Sequence, residues 1–328
     1  MKKCPICNSA SLTVIRQHSS QEAAMHVLEG NQDKTLLTKV SQYIENIIWE
    51  SESAFYKHCN ECGFEFSSPF KAADSHLYNI LYSQSKIDQP FWKWDFQEAF
   101  KLIPKESGQF NLLDIGSGSG HFLKKIDECF SGKAQLYAIE YWDECGNYLS
   151  AFGVSSYSSL QGVKELGPDS LDYVCMFQVL EHIDDFNSLL KLVRDSLKDG
   201  GLLIITVPNF LQRKLYDQAG VHEDMPPVHI SRFSQQSLRI LAKNNGFKVN
   251  FYQVEKSKGY RRVLRFAYMA LRHNEFYLKT RNIFSSRVTK KIATAIFLLV
   301  TVVRNASCVT KLAFKKQTGV SQMIILEK

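Results

Sequence analysis

The 328-residue sequence has no stretch of about 20 apolar residues of the kind that crosses a bilayer. It has no proline-rich or glycine-rich tract that would mark disorder, and no internal repeat that would mark a solenoid. The first residues, MKKCPICNSA, carry lysines but lack the apolar run a secretory signal needs, so the expectation is a cytoplasmic chain. In that setting paired cysteines favour metal or redox chemistry over structural disulfides. Hydrophobic residues at 45% and charged residues at 22% are ordinary for a globular protein. The length exceeds the roughly 150 residues of a single-domain prior, which points to a catalytic domain plus an accessory module.

The net charge of +7 is unevenly placed. Residues 255–316 hold 15 Lys and Arg against only Glu255 and Glu275, an excess of +13, so the rest of the chain is net negative.

Four of the eight cysteines form two Cys-x-x-Cys pairs, Cys4 with Cys7 and Cys59 with Cys62. Each pair can aim two thiolates at one point, and four complete the tetrahedral shell of structural zinc. The stretch between the pairs is longer than a compact ribbon needs, which implies an inserted helix near Asp33 to Glu50 in a zinc module spanning residues 1–70. A redox-inactive accident or plain burial is the competing reading. Residues 71–104 are rich in aromatics, among them Tyr78, Tyr82, Phe91, Trp92, Trp94, Phe96 and Phe100. Their spacing gives one or two helices that either pack as core or cap a pocket.

From Phe110 the pattern alternates between strand and helix. NLLDIG, QLYAIE, a weak segment near Val154, LDYVCMF, LLIITV, FKVNFYQV and the final MIILEK read as strands. HFLKKIDECF, Asn187–Leu197 and Gln235–Asn244 read as helices, with a loop carrying Pro208, Pro226 and Pro227. Such alternation gives an α/β fold, a mostly parallel sheet with helices on both faces.

LLDIGSGSG, residues 112–120, is a glycine-rich turn at a strand exit that lets backbone amides approach a ligand. Its glycines are Gly116, Gly118 and Gly120. His121 stands where the dinucleotide fingerprint requires glycine, which makes a nicotinamide oxidoreductase the second choice. Glu140 ends the next strand, where a carboxylate can accept both ribose hydroxyls of an adenosine.

LLDIGSGSG, AIEYW and DYVCMFQVLEHI together resemble the class I S-adenosylmethionine-dependent methyltransferases, over residues 105–255 and the last strand. The resemblance implies a seven-stranded Rossmann-like domain over 105–328, with a helical insertion at 256–319. It implies that Asp114 organises the loop, that Gly116, Ser117 and Gly118 line the methionine part of S-adenosyl-L-methionine, that Glu140 holds the ribose and that Tyr141 flanks the adenine. Phe177 and Gln178 would pass close to the sulfonium.

Glu181 and His182 match a tract common in methyltransferases of small molecules, and either orient the substrate or only begin the next helix. PPVHISRFS, with Pro227, His229, Arg232 and Phe233, looks like the loop at the substrate entrance. His229 there either takes a hydroxyl proton or fixes the loop by hydrogen bonds. The fourth strand ends in FQVLEH, without the Asn or Asp, Pro-Pro and aromatic familiar from methylation of nucleic-acid amino groups. A hydroxyl acceptor on a small molecule, sugar or glycan is therefore expected, and a non-catalytic protein that keeps the nucleotide fold is the third reading. Zinc knuckles, methyltransferase and variable tail also resemble, in arrangement, bacterial enzymes that decorate surface polysaccharide.

In the insertion, Arg261, Arg262, Arg265 and Arg272 alternate with Val263, Phe266, Met269 and Leu271, and Ile292 to Val303 is uncharged. Two readings stand: a helix in a membrane surface with its basic face on anionic headgroups, making the chain membrane-peripheral, or a subdomain packed on itself. Nucleic acid ranks third, since no aromatic-basic interleaving of an RNA module is present.

Overall fold

The structure is a computed structural model that describes residues 1–28, 33–84, 92–104, 108–140, 149–150, 152–272, 287–315 and 317–328. Its strands are β1 (Leu12–Ser19), β2 (Ser53–Cys59), β3 (Glu65–Ser68), β4 (Phe110–Ile115), β5 (Ala134–Ile139), β6 (Ser155–Tyr157), β7 (Leu171–Phe177), β8 (Leu197–Pro208), β9 (Ser231–Arg232), β10 (Lys248–Val254) and β11 (Ser321–Glu327). They form a seven-stranded sheet in the order β10-β11-β8-β7-β4-β5-β6 and a four-stranded sheet in the order β1-β2-β3-β9. In the larger sheet β6, β5, β4, β7 and β8 run parallel.

Alternation of side chains along these strands builds two cores. Leu113 and Ile115 of β4, Val174 and Met176 of β7, and Leu203 and Ile205 of β8 point to one face. There they meet Phe186, Leu189, Leu190 and Val193 of the helix Phe186–Ser196 and Leu238 and Leu241 of the helix Gln235–Asn244. Their neighbours Leu112, Cys175, Phe177 and Ile204 point to the other face. That side is covered by Phe122, Leu123 and Ile126 of the helix His121–Cys129 and by Phe96 and Ala99 of the helix Trp94–Phe100. A strand period of two forces this division, and a parallel sheet buried on both faces follows.

The four-stranded sheet is antiparallel throughout. Its inserted helix forms where expected, capped by Asp33 over Lys34–Tyr43 and continued as a π-helical turn over Ile44–Trp49. The stretch between the cysteine pairs also holds β1, which the sequence reading took as polar and partly helical. Five of its eight residues are exposed and only His18 is buried, and its pairing partner β2 lies across a long connection. The aromatic-rich segment gives two helices, Ser75–Gln84 and Trp94–Phe100.

The residues fall into two compact units. The first comprises 1–208, 225–253 and 323–328, so the cysteine module and the larger sheet share one unit. Cys4, Cys59, Cys62, Phe64 and Phe66 belong to the same core cluster as Leu113 and Val174. The second comprises 209–224 and 254–322. Its helix Phe210–Gln218 corrects the loop expected after Pro208. Asn209 starts that helix by accepting the Leu211 amide at 3.1 Å, a cap that a neighbouring proline concealed. Leu215, Tyr216, Phe266, Cys308 and Leu312 form the second unit's own core.

Phe64 packs on Phe66, Phe70, Phe186 and Phe233 with ring centroids 5.0 to 6.4 Å apart and has no exposed surface. Phe64→Ala is expected to cost about 3–5 kcal/mol of unfolding free energy. Denaturant unfolding measures this, and a loss under about 1 kcal/mol would mean the ring is not part of a tightly packed core.

Candidate active site and metal centre

The chain leaves β4 at Ile115 and turns through Gly116, Ser117, Gly118, Ser119 and Gly120 before entering the helix at His121. Gly116, Gly118 and Gly120 have φ of +71°, +53° and +69°. A side chain there is strained on backbone grounds alone. At Gly116 a Cβ would also stand 2.5 Å from Val179 Cγ2, so this turn lies directly against the exit of β7.

The loop is tied to the end of β5 by three bonds. The amides of Gly116 and Ser117 donate to the Ile139 carbonyl at 2.8 and 3.3 Å, and the Gly118 amide donates to Glu140 Oε2 at 2.7 Å. The glycine turn and the carboxylate that the sequence pairs thus lie on the same edge of the sheet. Beneath them Asp114 is 1% exposed. Burial pushes its carboxyl well above the usual range, the charge of Glu140 adds to this, and Lys93 opposes it. Asp114 Oδ1 and Ser117 Oγ are buried and make no hydrogen bond among the described residues. Buried polar atoms of this kind normally have partners, so the turn presents acceptor and donor capacity suited to a polar ligand.

Phe177 and Gln178 occupy the end of β7. The Phe177 ring packs 4.9 Å from both Phe96 and Phe122, so its side chain serves the core and only its backbone reaches the strand exit. Gln178 has φ of +63°, and its amide and side chain reach the Thr206 carbonyl and hydroxyl at 2.9 and 3.3 Å. Tyr141 lies outside the described residues.

Beyond Val179 a 3₁₀ turn, Leu180–His182, carries Glu181 and His182, and the His182 amide donates to the Val179 carbonyl at 2.9 Å. His182 and His229 meet edge to face with ring centroids 4.5 Å apart. His182 Nδ1 lies 2.8 Å from the Val228 carbonyl and 2.9 Å from the Tyr78 hydroxyl. Because a carbonyl only accepts, the proton of neutral His182 sits on Nδ1, and Nε2 carries the lone pair, 3.9 Å from buried Glu181. Glu181, His182 and His229 place their donor atoms within 4.8 Å of one another.

In the PPVHISRFS loop, Arg232 and Phe233 serve packing and pairing. Arg232 is buried with Nη1 3.6 Å from Glu65 and its guanidinium over the Tyr56 ring, and Phe233 packs on Phe64. Strand β9 pairs Glu65 with Arg232 and Phe66 with Ser231. Lys93 has no local mark as a site neighbour, and nothing local pairs Tyr78, one of the aromatics that either pack as core or cap a pocket, with a histidine 104 positions away.

The four cysteines converge in the same unit. Cys4 and Cys62 sulfurs are 3.6 Å apart, Cys7 and Cys59 sulfurs 3.4 Å, and all four lie within 4.8 Å of one another. Zinc–thiolate bonds of about 2.3 Å place tetrahedral sulfurs roughly 3.8 Å apart, so the quartet fits a single zinc ion. A hydrogen bond with Cys62 holds the Cys4 thiol down at about 5, while Cys62 is pushed up by that same bond and by burial. Both knuckles are fastened to the helix Gln235–Asn244: Asn244 Nδ2 donates to the Ile6 carbonyl at 2.8 Å, and Ser234 Oγ donates to the Cys62 carbonyl at 2.8 Å.

Comparison with curated proteins finds no match. Among solved structures, the chain is similar to a SAM-dependent methyltransferase from Archaeoglobus fulgidus, at 19% identity and a TM-score of 0.49, covering 76% of this chain and 100% of that one. It is also similar to phosphoethanolamine N-methyltransferase 2 of Haemonchus contortus in complex with S-adenosyl-L-methionine, at 18% identity and a TM-score of 0.43, over 72% of this chain and 52% of that one. A SAM-dependent methyltransferase from Aquifex aeolicus matches at 18% identity and a TM-score of 0.39, over 49% and 83%. Residues 86–250, half of the sequence, match the methyltransferase domain family. That match spans the glycine turn, Glu140, the exit of β7 and both histidines, and it selects methyl transfer over the nicotinamide alternative: the chain belongs to the methyltransferase domain family, among the class I S-adenosylmethionine-dependent enzymes.

Proposed function

We propose that this methyltransferase acts on a hydroxyl oxygen of a small molecule or sugar, glycan units included, with zinc holding the cysteine module. The observation that supports the cofactor side is the Gly118 amide on the Glu140 carboxylate, above the buried Asp114 and Ser117 oxygens. In this reading Asp114 braces the turn and Gly116, Ser117 and Gly118 receive the methionine part. Glu140 takes the ribose, Tyr141 flanks the adenine, and Phe177 and Gln178 present the exit of β7 to the sulfur. S-adenosylmethionine, when bound, supplies a methyl carbon already activated by positive sulfur.

What remains for the protein is alignment and removal of one proton. His229 would take the proton that the acceptor hydroxyl gives up as its oxygen is methylated. His182, oriented by Val228 and Tyr78, fixes the His229 ring at 4.5 Å and is a positioning residue in this scheme. The buried Glu181 carboxylate beside them favours the positive charge that proton uptake creates. The hydroxyl preference is supported by the sequence FQVLEH, which lacks the Pro-Pro-aromatic element of amino-group methylation.

Three measurements test these roles. Glu140→Ala is expected to weaken S-adenosylmethionine binding about 10- to 100-fold in calorimetric titration, the worth of hydrogen bonds to a charged group; unchanged affinity would remove Glu140 from the pocket. With acceptors screened by labelled methyl transfer, beginning with nucleotide sugars and lipid-linked glycans, His229→Ala should lower kcat about 10²- to 10⁴-fold and leave cofactor affinity alone. Full turnover would dismiss it as the base. Elemental analysis of the purified chain is expected to find one zinc, lost in Cys59→Ser. Metal-free protein with reactive thiols would refute the zinc assignment, and a second metal lost in His182→Ala would replace the proton-transfer role of the histidines with metal binding.

A further inference from the structure

The second unit carries apolar side chains on the outside of helices whose inner sides are already packed. On the helix Arg287–Arg304, Ile292, Ile296, Leu299, Val300 and Val303 are 55, 56, 65, 40 and 67% exposed. At 3.6 residues per turn these five positions fall within an arc of about 100°. On the helix Gly259–Arg272, Tyr260, Leu264 and Tyr268 recur every fourth residue and are 58, 59 and 59% exposed. The inward positions Phe266, Ala267 and Ala293 are buried, so packing within the unit does not account for the outer stripes. Single exposed apolar residues need no explanation, but two periodic stripes in one unit mark a surface that meets something apolar.

Charge says what that something is. Arg261, Arg265, Lys291 and Arg304 are exposed on the same helices, and residues 255–316 carry an excess of +13. A second copy docking through this face would set that charge against its like, and a nucleic acid leaves the apolar stripes unused. A cleft of about 700 Å³ adds a third observation. It is lined by Ala270, Phe297 and Arg304 together with Ile296 and Val300, which belong to the outer stripe, so the apolar surface runs from the helix face into a concavity. Among the described residues no single helix is long and apolar enough to cross a membrane, and the pair Lys291–Arg304 and Ala306–Phe314 is bent by 87°. The 18 residues of Arg287–Arg304 rise about 27 Å, short of the roughly 30 Å hydrocarbon layer, and are flanked by cations at both ends.

We infer that the second unit is a docking surface for an anionic lipid bilayer. Ile292, Ile296, Leu299 and Val303 enter the acyl boundary, while the arginines and lysines around them meet headgroup phosphates. This adds a place of action to the proposed function and does not depend on which group accepts the methyl.

The full chain is tested by co-sedimentation with vesicles of phosphatidylcholine alone and of phosphatidylcholine mixed with phosphatidylglycerol, at low and high salt. Binding is expected to the mixed vesicles only, and to weaken with salt. The double variant Leu299→Glu, Val303→Glu should lose at least about tenfold in vesicle affinity, since both side chains are exposed and each gains a charge that the acyl boundary rejects. Arg261→Ala with Arg265→Ala, which removes two charges and keeps every apolar side chain of both stripes, should weaken binding to a smaller extent. Cofactor affinity is measured alongside and stays unchanged in all variants, which separates a failed surface from a failed methyltransferase reading. Equal or absent binding to both vesicle types would overturn the inference. So would a dimer in solution that the glutamate variant splits, because the face would then belong to a second copy.

Discussion

The hydrogen bond from the Gly118 amide to Glu140 joins two strand exits that are neighbours in the sheet but more than twenty residues apart in the chain. It forms only because Gly116, Gly118 and Gly120 accept left-handed backbone, which folds the turn back over β5 and keeps its amides inward. Val179 then limits how far the turn can rise, since no side chain fits between it and Gly116. The turn is thus held by three amide hydrogen bonds to the end of β5 and bounded by the Val179 side chain. Asp114, held in a place where its charge is disfavoured, lies under this turn with Lys93 as the counterweight.

A second chain of contacts leads from the same point to the histidines. Val179 bounds the glycine turn, its carbonyl accepts the His182 amide, and His182 meets His229. The loop carrying His229 is held from the other side by the β9–β3 pairing, by Arg232 on Glu65 and by the amide of Ile230 on the Glu181 carbonyl. Glycine turn, histidine pair and cysteine module are therefore parts of one unit.

Much of this was legible in the residues because the chemistry is local there. Two Cys-x-x-Cys turns announce a four-sulfur cluster, and glycines between LLDI and an amphipathic helix announce a ligand turn. Alternating apolar runs gave the parallel sheet, with boundaries close to those found for the helix Gln235–Asn244 and for β7. What escaped reading depends on distant partners. Strand β1 buries almost nothing and has no pattern of its own, the helix Phe210–Gln218 hides behind Pro208, and Tyr78 acquires its meaning only beside His182. Arg232 and Phe233 likewise take their roles from distant partners, Glu65 and Phe64.

Strand β9 is two residues long, yet it sets where an imidazole stands two positions before it. Among the described residues its neighbour within the four-stranded sheet is β3, which begins three residues after Cys62. A catalytic fragment cut at the start of the family match, residue 86, would therefore lose the strand that anchors the His229 loop and the tyrosine that steadies His182. The first seventy residues thus brace, through β3, the loop on which His229 stands.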